Sequence, residues 1–201
     1  MAMGSELMPI AQRNGKVVAK EFGSGVYGTV LPTEAENIVM KITTDRSEAH
    51  FAAMLLHLPE MPEGVVRYFG AYAVPSRRNG DRIYALWREE AFGVGRVLTF
   101  WEKPILRDYL DAAGKVYFER NRRSVANAAM AAEAMEDHGG NLRAIGSTLR
   151  WFLSVGVLIT DIHSGNIGMV KRFGECVAVI TDPGQVVFLK KGVRAKPMML
   201  R

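Results

Sequence analysis

The sequence predicts an α+β fold: a five-stranded antiparallel sheet with one helix in the N-terminal part, followed by a short, mainly helical C-terminal part. Three observations predict it. Residues 15–90 contain short runs rich in β-branched and apolar residues, punctuated by glycine-containing turns. From about residue 91 the apolar spacing changes to the helical period, with an alanine-rich stretch that stops at Gly-Gly. Two short strand-like pieces then close the series. With 201 residues, 48% hydrophobic and 23% charged, the chain can fill such cores and is not disordered as a whole.

The elements follow in order. "KVVAKEF" (16–22) and "GTVLP" (28–32) flank a glycine-rich turn, and "NIVMKIT" (37–43) reads as the third strand. Asp45 is placed as the N-cap of a helix, "SEAHFAAMLLHL", with Phe51, Met54, Leu55 and Leu58 on its apolar face. "VVRYFGAYAV" (65–74) and "DRIYALWRE" (81–89) are joined by "PSRRNG", whose Asn-Gly suits a hairpin. Helical patterns cover "KPILRDYLDAA" (103–113), "ERNRRSVANAAMAAEAMEDHGG" (119–140) and "NLRAIGSTLRWFLSVG" (141–156). The last opens on Asn141 and closes on Gly156, the residue types expected at a start and a stop. "IGMV" (167–170) and "CVAVIT" (176–181) are short strands joined by "KRFGE". The organisation is thus an N-terminal extension (1–14), a strand-rich region (15–90), a mainly helical region (91–188) and a basic tail (189–201).

Composition narrows the function classes. No apolar run approaches the roughly 18 residues needed to span a bilayer, and the N-terminus lacks an apolar signal core. A cytoplasmic protein without membrane partners is expected. The single Cys176 excludes an internal disulfide and any cysteine-based metal cluster, and it fits a reducing compartment. A net charge of +5 is compatible with an anionic partner such as a nucleotide, a nucleic acid or an acidic protein face.

Three motifs carry chemistry. "GSGVYGTV" (23–30) fits G-x-G-x-x-G-x-V through Gly23, Gly25, Gly28 and Val30. A dinucleotide fold would open a helix at the third glycine; the strand-like "TVLP" that follows points to a hairpin lying over phosphates. An ordinary glycine-rich turn is the plain alternative. Second, Lys41 lies eleven residues after Val30 on the next strand, flanked by apolar residues. Such a lysine can pack its stem and reach a phosphate with its ammonium, although an isolated strand lysine is usually a surface residue. Glu48 has two competing roles, as ion-pair partner of Lys41 or as the return arm of the capping box "DRSE". Third, "DIHSGN" places Asp161 and Asn166 five residues apart on a loop, and "ITDPG" places Asp182 21 residues after Asp161. One Asp to orient an acceptor hydroxyl, with an Asn and a second Asp to hold Mg²⁺ on nucleotide phosphates, is the order of a phosphoryl-transfer centre. Each part alone is ordinary loop chemistry. The order of all the parts together is what carries the signal.

From about residue 15 to 185 the chain resembles a small, two-lobed protein-kinase-like domain with a truncated C-lobe. "DIHSGNI" is closer to the D-x-H-x-x-N loop of small-molecule and atypical kinases than to H-R-D, because Ile159 and Thr160 stand where His and Arg would be. With the following "ITDP", it is similar to the early Ser/Thr protein kinase of T7-like bacteriophages (autographiviruses). The resemblance implies Asp161 as catalytic aspartate, Lys41 as phosphate lysine, and Asn166 and Asp182 as metal ligands, with ATP and Mg²⁺ as cofactors. It implies nucleotide binding by Gly23, Gly25, Gly28, Val30, Lys41, Glu48 and Glu89, with adenine against the backbone near Trp87–Glu90. It also implies a phage-encoded enzyme in the bacterial host cytoplasm. Host proteins would be its substrates, autophosphorylation a further outcome, and nucleic acid not an expected partner.

The departures from the pattern are specific. Pro183 replaces the Phe of D-F-G, and 17 residues follow Gly184, too few for an activation segment and the later helices. Thr160 replaces the arginine that reads activation-loop phosphate. His163 is expected to bond the catalytic loop or a phosphate, or to serve only structure. Two other readings stay open: a small-molecule kinase of the aminoglycoside or choline type, and a catalytically silent kinase-like module that binds a host protein. Arg120, Arg122, Arg123, Lys190, Lys191, Arg194 and Lys196 would give a protein-substrate site a positive rim, or form only a solvated basic surface.

Overall fold

The glycine-rich stretch folds as a hairpin. β1 (Gly23–Gly25) pairs antiparallel with β2 (Gly28–Pro32), Gly23 opposite Val30 and Gly25 opposite Gly28. β2 pairs with β3 (Ile38–Thr43), β3 with β5 (Arg82–Glu89), and β5 with β4 (Tyr68–Pro75), all antiparallel. The computed structural model describes residues 23–25, 28–75 and 82–190. The extension 1–14, the expected strand 16–22, the hairpin tip 76–81 and the tail from residue 191 lie outside the described residues. Those described form an α+β structure with four α-helices and antiparallel sheets, in two compact units. Among them, no helix is long and apolar enough to cross a membrane.

The first unit holds the five-stranded sheet, in the order β1-β2-β3-β5-β4, and α1 (Arg46–Leu56). Strand alternation sorts its side chains. Met40, Ala85 and Trp87 form a buried cluster joined by Leu31, Ile38, Ile42 and Tyr72, so Val39 and Lys41 point to the opposite face. α1 buries Ala49, Phe51, Ala52 and Leu55, while Met54 is half-buried and Leu58 lies beyond the helix end. β4 begins at Tyr68, three residues later than the strand expected from 65. Val65 and Val66 are fully buried, and the Val66 N–H donates to Ile180 O at 3.1 Å, so both belong to the second unit.

The second unit holds α2 (Glu102–Glu119), α3 (Arg122–His138) and α4 (Leu142–Val155). α2 runs past its expected end at 113. A side chain at Gly114 would meet open space, so the helix needs no break there, and Val116 is a further buried anchor. α3 buries Val125, Ala128, Ala132 and Met135, a seam at helical spacing. Its alanines let α4 approach to backbone contact: a Cβ at Gly146 would lie 2.5 Å from Ala132 O. α4 ends at Gly156 in the left-handed conformation (φ 84°), as its residue type predicts. β6 (Val157–Ile159) pairs with β9 (Val186–Phe188), neither of which the sequence pattern marks. β7 (Ile167–Arg172) and β8 (Glu175–Ile180) form a hairpin that turns through Phe173 and Gly174, both at positive φ.

Asn141 does not cap α4 with its side chain, contrary to expectation. Its backbone N–H and side-chain amide instead donate to the buried Glu102 carboxylate at 2.9 and 3.2 Å. Glu102 also accepts from Thr99 N at 2.8 Å, while its own N–H donates to Thr99 Oγ1, the reciprocal bonding of a capping box. Burial opposes ionisation of Glu102, but the hydrogen bonds from Thr99 and Asn141 together outweigh it and hold its pKa below the ordinary 4.5. A depressed carboxylate stabilises the fold fully above the ordinary value and loses that contribution as pH falls through the depressed one. Glu102→Gln should therefore destabilise the protein by about 1–2 kcal/mol at neutral pH. Denaturant titrations across acid pH should show wild type and variant converging; a gap that persists at low pH would mean the carboxylate charge is not what matters.

Candidate active site

The candidate residues form two clusters, one on each unit. On the first, Lys41 sits in β3 opposite Val30 of β2 and Leu86 of β5. Its ammonium lies 2.8 Å from Glu48 Oε1, and the two side chains are 7% and 1% exposed. The cap of α1 explains why Glu48 can turn inward. Asp45 Oδ1 accepts from Ser47 N at 2.7 Å and Glu48 N at 3.4 Å, and the Asp45 N–H is satisfied by Thr43 Oγ1 at 3.1 Å. The return arm of a capping box therefore has nothing left to bond, and the Glu48 carboxylate goes to Lys41. Burying two charges carries a desolvation penalty that their attraction does not reliably repay, so such a pair is not explained by stability alone.

Gly28 has a packing reason as well. A Cβ at Gly28 would lie 2.3 Å from Ile42 O, so the close approach of β2 to β3 requires glycine there whatever else the hairpin does. Val30 is half-buried. Glu89 is turned into its own unit. Its N–H donates to Arg67 O at 2.8 Å, its Oε2 accepts from Arg67 N at 3.2 Å, and the next N–H, that of Glu90, donates to Asn37 O at 2.8 Å. Within the segment Trp87–Glu90, whose backbone is expected to face adenine, the N–H groups of Glu89 and Glu90 are thus engaged within the protein.

On the second unit, the loop after β6 carries the other candidates. Its entry is fixed from two sides. The buried Tyr109 hydroxyl donates to Ile159 O at 3.1 Å, and burial pushes the Tyr109 pKa up, which keeps it a donor. Thr160 donates both its N–H and its hydroxyl to Gln185 O, each at 3.1 Å. Ile162 is fully buried and anchors the middle of the loop, leaving Asp161 and His163 exposed on either side.

The spacing of "DIHSGN" then has a physical account. His163 Nδ1 accepts the Gly165 N–H at 3.0 Å, which places the proton of the neutral ring on Nε2, and His163 O accepts the Asn166 N–H at 2.8 Å. These bonds wind Ser164–Asn166 into one 3₁₀ turn. A Cβ at Gly165 would lie 2.8 Å from the imidazole Cε1, so the ring can close only over glycine. The turn delivers Asn166, whose Nδ2 donates to Asp161 O at 2.9 Å and whose O accepts from Thr181 N at 2.8 Å. Asp182 follows Thr181, and its Oδ1 accepts from Gly184 N at 3.0 Å. Gly184 (φ 54°) lies against Asp161: a Cβ there would be 2.4 Å from Asp161 Cβ and 2.8 Å from Oδ2. Asp161, Asn166 and the Asp182 turn are therefore brought together by backbone packing.

Asn166 and Asp182 bring the oxygen donor types that magnesium prefers. Among the described residues no group of three or more His, Cys, Asp or Glu could hold a metal by itself. Asn166 bonds Asp161 O through its amide nitrogen and not its oxygen, and Asp182 carries a carboxylate whose Oδ1 accepts from Gly184 N. One or two protein oxygens plus phosphate and water is the usual Mg²⁺ arrangement.

Sequence reasoning missed the neighbour of this loop. Residues 92–95 run along β7, with Phe92 bridged to Met169 and the Gly95 N–H donating to Ile167 O at 3.1 Å. A Cβ at Gly95 would come 3.9 Å from Gly165 Cα. The paired glycines of "FGVG" were the only local signal, and they lack periodicity. Of the basic residues named for a rim, Arg120, Arg122, Arg123 and Lys190 are exposed, while Lys191, Arg194 and Lys196 lie outside the described residues. No family model matches the chain, and no curated protein matches it.

Proposed function

We propose that this protein is an ATP-dependent phosphotransferase acting on serine or threonine hydroxyls of proteins. In this reading the strand-rich unit is the nucleotide lobe and the helical unit the catalytic lobe of a protein-kinase-like chain. The observation that carries the reading is the meeting of Asp161, Asn166 and the Asp182 turn on the second unit. The buried Lys41–Glu48 pair supports it from the first unit.

The surroundings of each residue support its proposed role. Asp161, exposed and held by Gly184 at one side, orients the acceptor hydroxyl and takes up its proton. Lys41, aligned by Glu48, neutralises charge on the nucleotide phosphates. Asn166 and Asp182 would hold Mg²⁺, which when bound offsets the negative charge that develops on the phosphoryl oxygens. The likeness to the early kinases of T7-like phages extends the proposal to a phage-encoded enzyme acting on bacterial host proteins in the host cytoplasm.

Incubation with γ-labelled ATP and Mg²⁺, alone and with bacterial lysate, tests this. Discrete labelled protein bands are expected, together with a rise in melting temperature on adding Mg-ATP. Label confined to low-molecular-weight products would favour the small-molecule kinase suggested by the D-x-H-x-x-N loop. Neither label nor a melting shift would leave a silent binding module.

A further inference from the structure

We infer that Arg120 reads an acidic residue flanking the phosphoacceptor, so that the substrates are acidic polypeptide segments. The inference rests on the phosphotransferase reading.

Arg120 ends α2 in the left-handed conformation (φ 48°, ψ 39°), where glycine is the usual residue and a side chain is strained. The backbone gains nothing from arginine there, so its use lies in the side chain. Arg120 Nε donates to Tyr117 O at 3.3 Å, and its guanidinium carbon lies 5.9 Å from the centroid of the Tyr117 ring. Both contacts fix the side chain while the residue stays exposed, and the terminal nitrogens of a guanidinium form the edge that bonds a carboxylate in a bidentate manner. No acidic side chain among the described residues forms an ion pair with it; its neighbour Glu119 accepts from Asn121 Nδ2 at 3.1 Å.

The same contacts lead back to the candidate catalytic loop. The Tyr117 hydroxyl lies 3.5 Å from Gln185 Nε2, and the Gln185 carbonyl receives both donors of Thr160, the residue before Asp161. Arg120 is therefore two side chains, Tyr117 and Gln185, away from the loop that carries Asp161. Arg122 and Arg123 extend the exposed positive surface from the same turn. A carboxylate-bearing chain is the partner whose charge and shape this edge fits, and its encounter would weaken as salt rises.

Fluorescein-labelled peptides provide the probe: one with a central Ser flanked by Asp and Glu, and its counterpart with Asn and Gln at those positions. Anisotropy titrations should show wild type preferring the acidic peptide, and Arg120→Gly reducing that preference by about tenfold, the scale of one charge-assisted bidentate contact. Glycine suits the left-handed backbone, so the melting temperature of this variant should hold or rise, separating lost recognition from lost folding. Arg120→Glu should reverse the preference toward a Lys-flanked peptide. Equal binding of both peptides by wild type, or an unchanged preference in Arg120→Gly, overturns the inference. Labelled ATP added to the same peptides separates the two readings. Transfer that ignores the flanks and Arg120 removes the inference and keeps the phosphotransferase, whereas Arg120-dependent binding without any transfer removes the phosphotransferase and keeps the acidic docking surface.

Discussion

Asp161→Asn should lower phosphoryl transfer by about 10³-fold, within the range that general acid–base catalysis contributes, while Mg-ATP still raises the melting temperature. The substitution is nearly isosteric, and the neighbours limit its reach. Asn166 is tied to the backbone oxygen of Asp161 and not to its carboxylate, so the arm assigned to the metal does not depend on the charge being removed. Gly184 packs on the side chain by shape, which asparagine preserves. Asp182→Asn should behave differently, because that carboxylate is assigned to the cation: Mg²⁺-dependent nucleotide affinity should fall along with turnover. Single-turnover transfer and melting curves with and without Mg²⁺ separate the two. Full activity in Asp161→Asn would show that this loop is not where transfer occurs.

Glu48→Ala should cost about 3–5 kcal/mol of stability, because it leaves a buried ammonium without this carboxylate. Lys41 and Glu48 are 7% and 1% exposed and 2.8 Å apart, so solvent screening does little for either charge. The double replacement Lys41→Met with Glu48→Leu should recover most of the loss, since apolar residues of similar volume commonly replace a buried pair without penalty. It should not recover phosphoryl transfer. Urea titrations of Lys41→Met, Glu48→Leu and the double variant form a cycle that isolates the pair. A cost near 1 kcal/mol for Glu48→Ala would instead be the value of a surface pair, and would remove the reason for assigning this lysine to phosphates.

How much of this was legible in the chain depends on the range of the signal. Asp45 caps α1 as its residue type implies, and Gly156 ends α4 in the left-handed conformation, because capping is settled within one helical turn. The alternation of "IVMKIT" placed Met40 and Lys41 on opposite faces, because strand geometry repeats every second residue. The D-x-x-x-x-N loop, followed by a strand and D-x-G, could be read as one chemical unit because its members lie close in sequence. Other features depended on elements distant in the chain. Whether Glu48 serves the cap or Lys41 turned on Thr43 taking the Asp45 N–H and on β3 presenting its lysine. Asn141 gave up its expected cap for a buried carboxylate 39 residues earlier. Val65 and Val66 left the sheet for Ile180, and the strands at 157–159 and 186–188 exist only as each other's partners. Local propensity is worth tenths of a kcal/mol per residue, whereas a buried polar group left unbonded costs whole ones, so where the two compete the distant partner prevails.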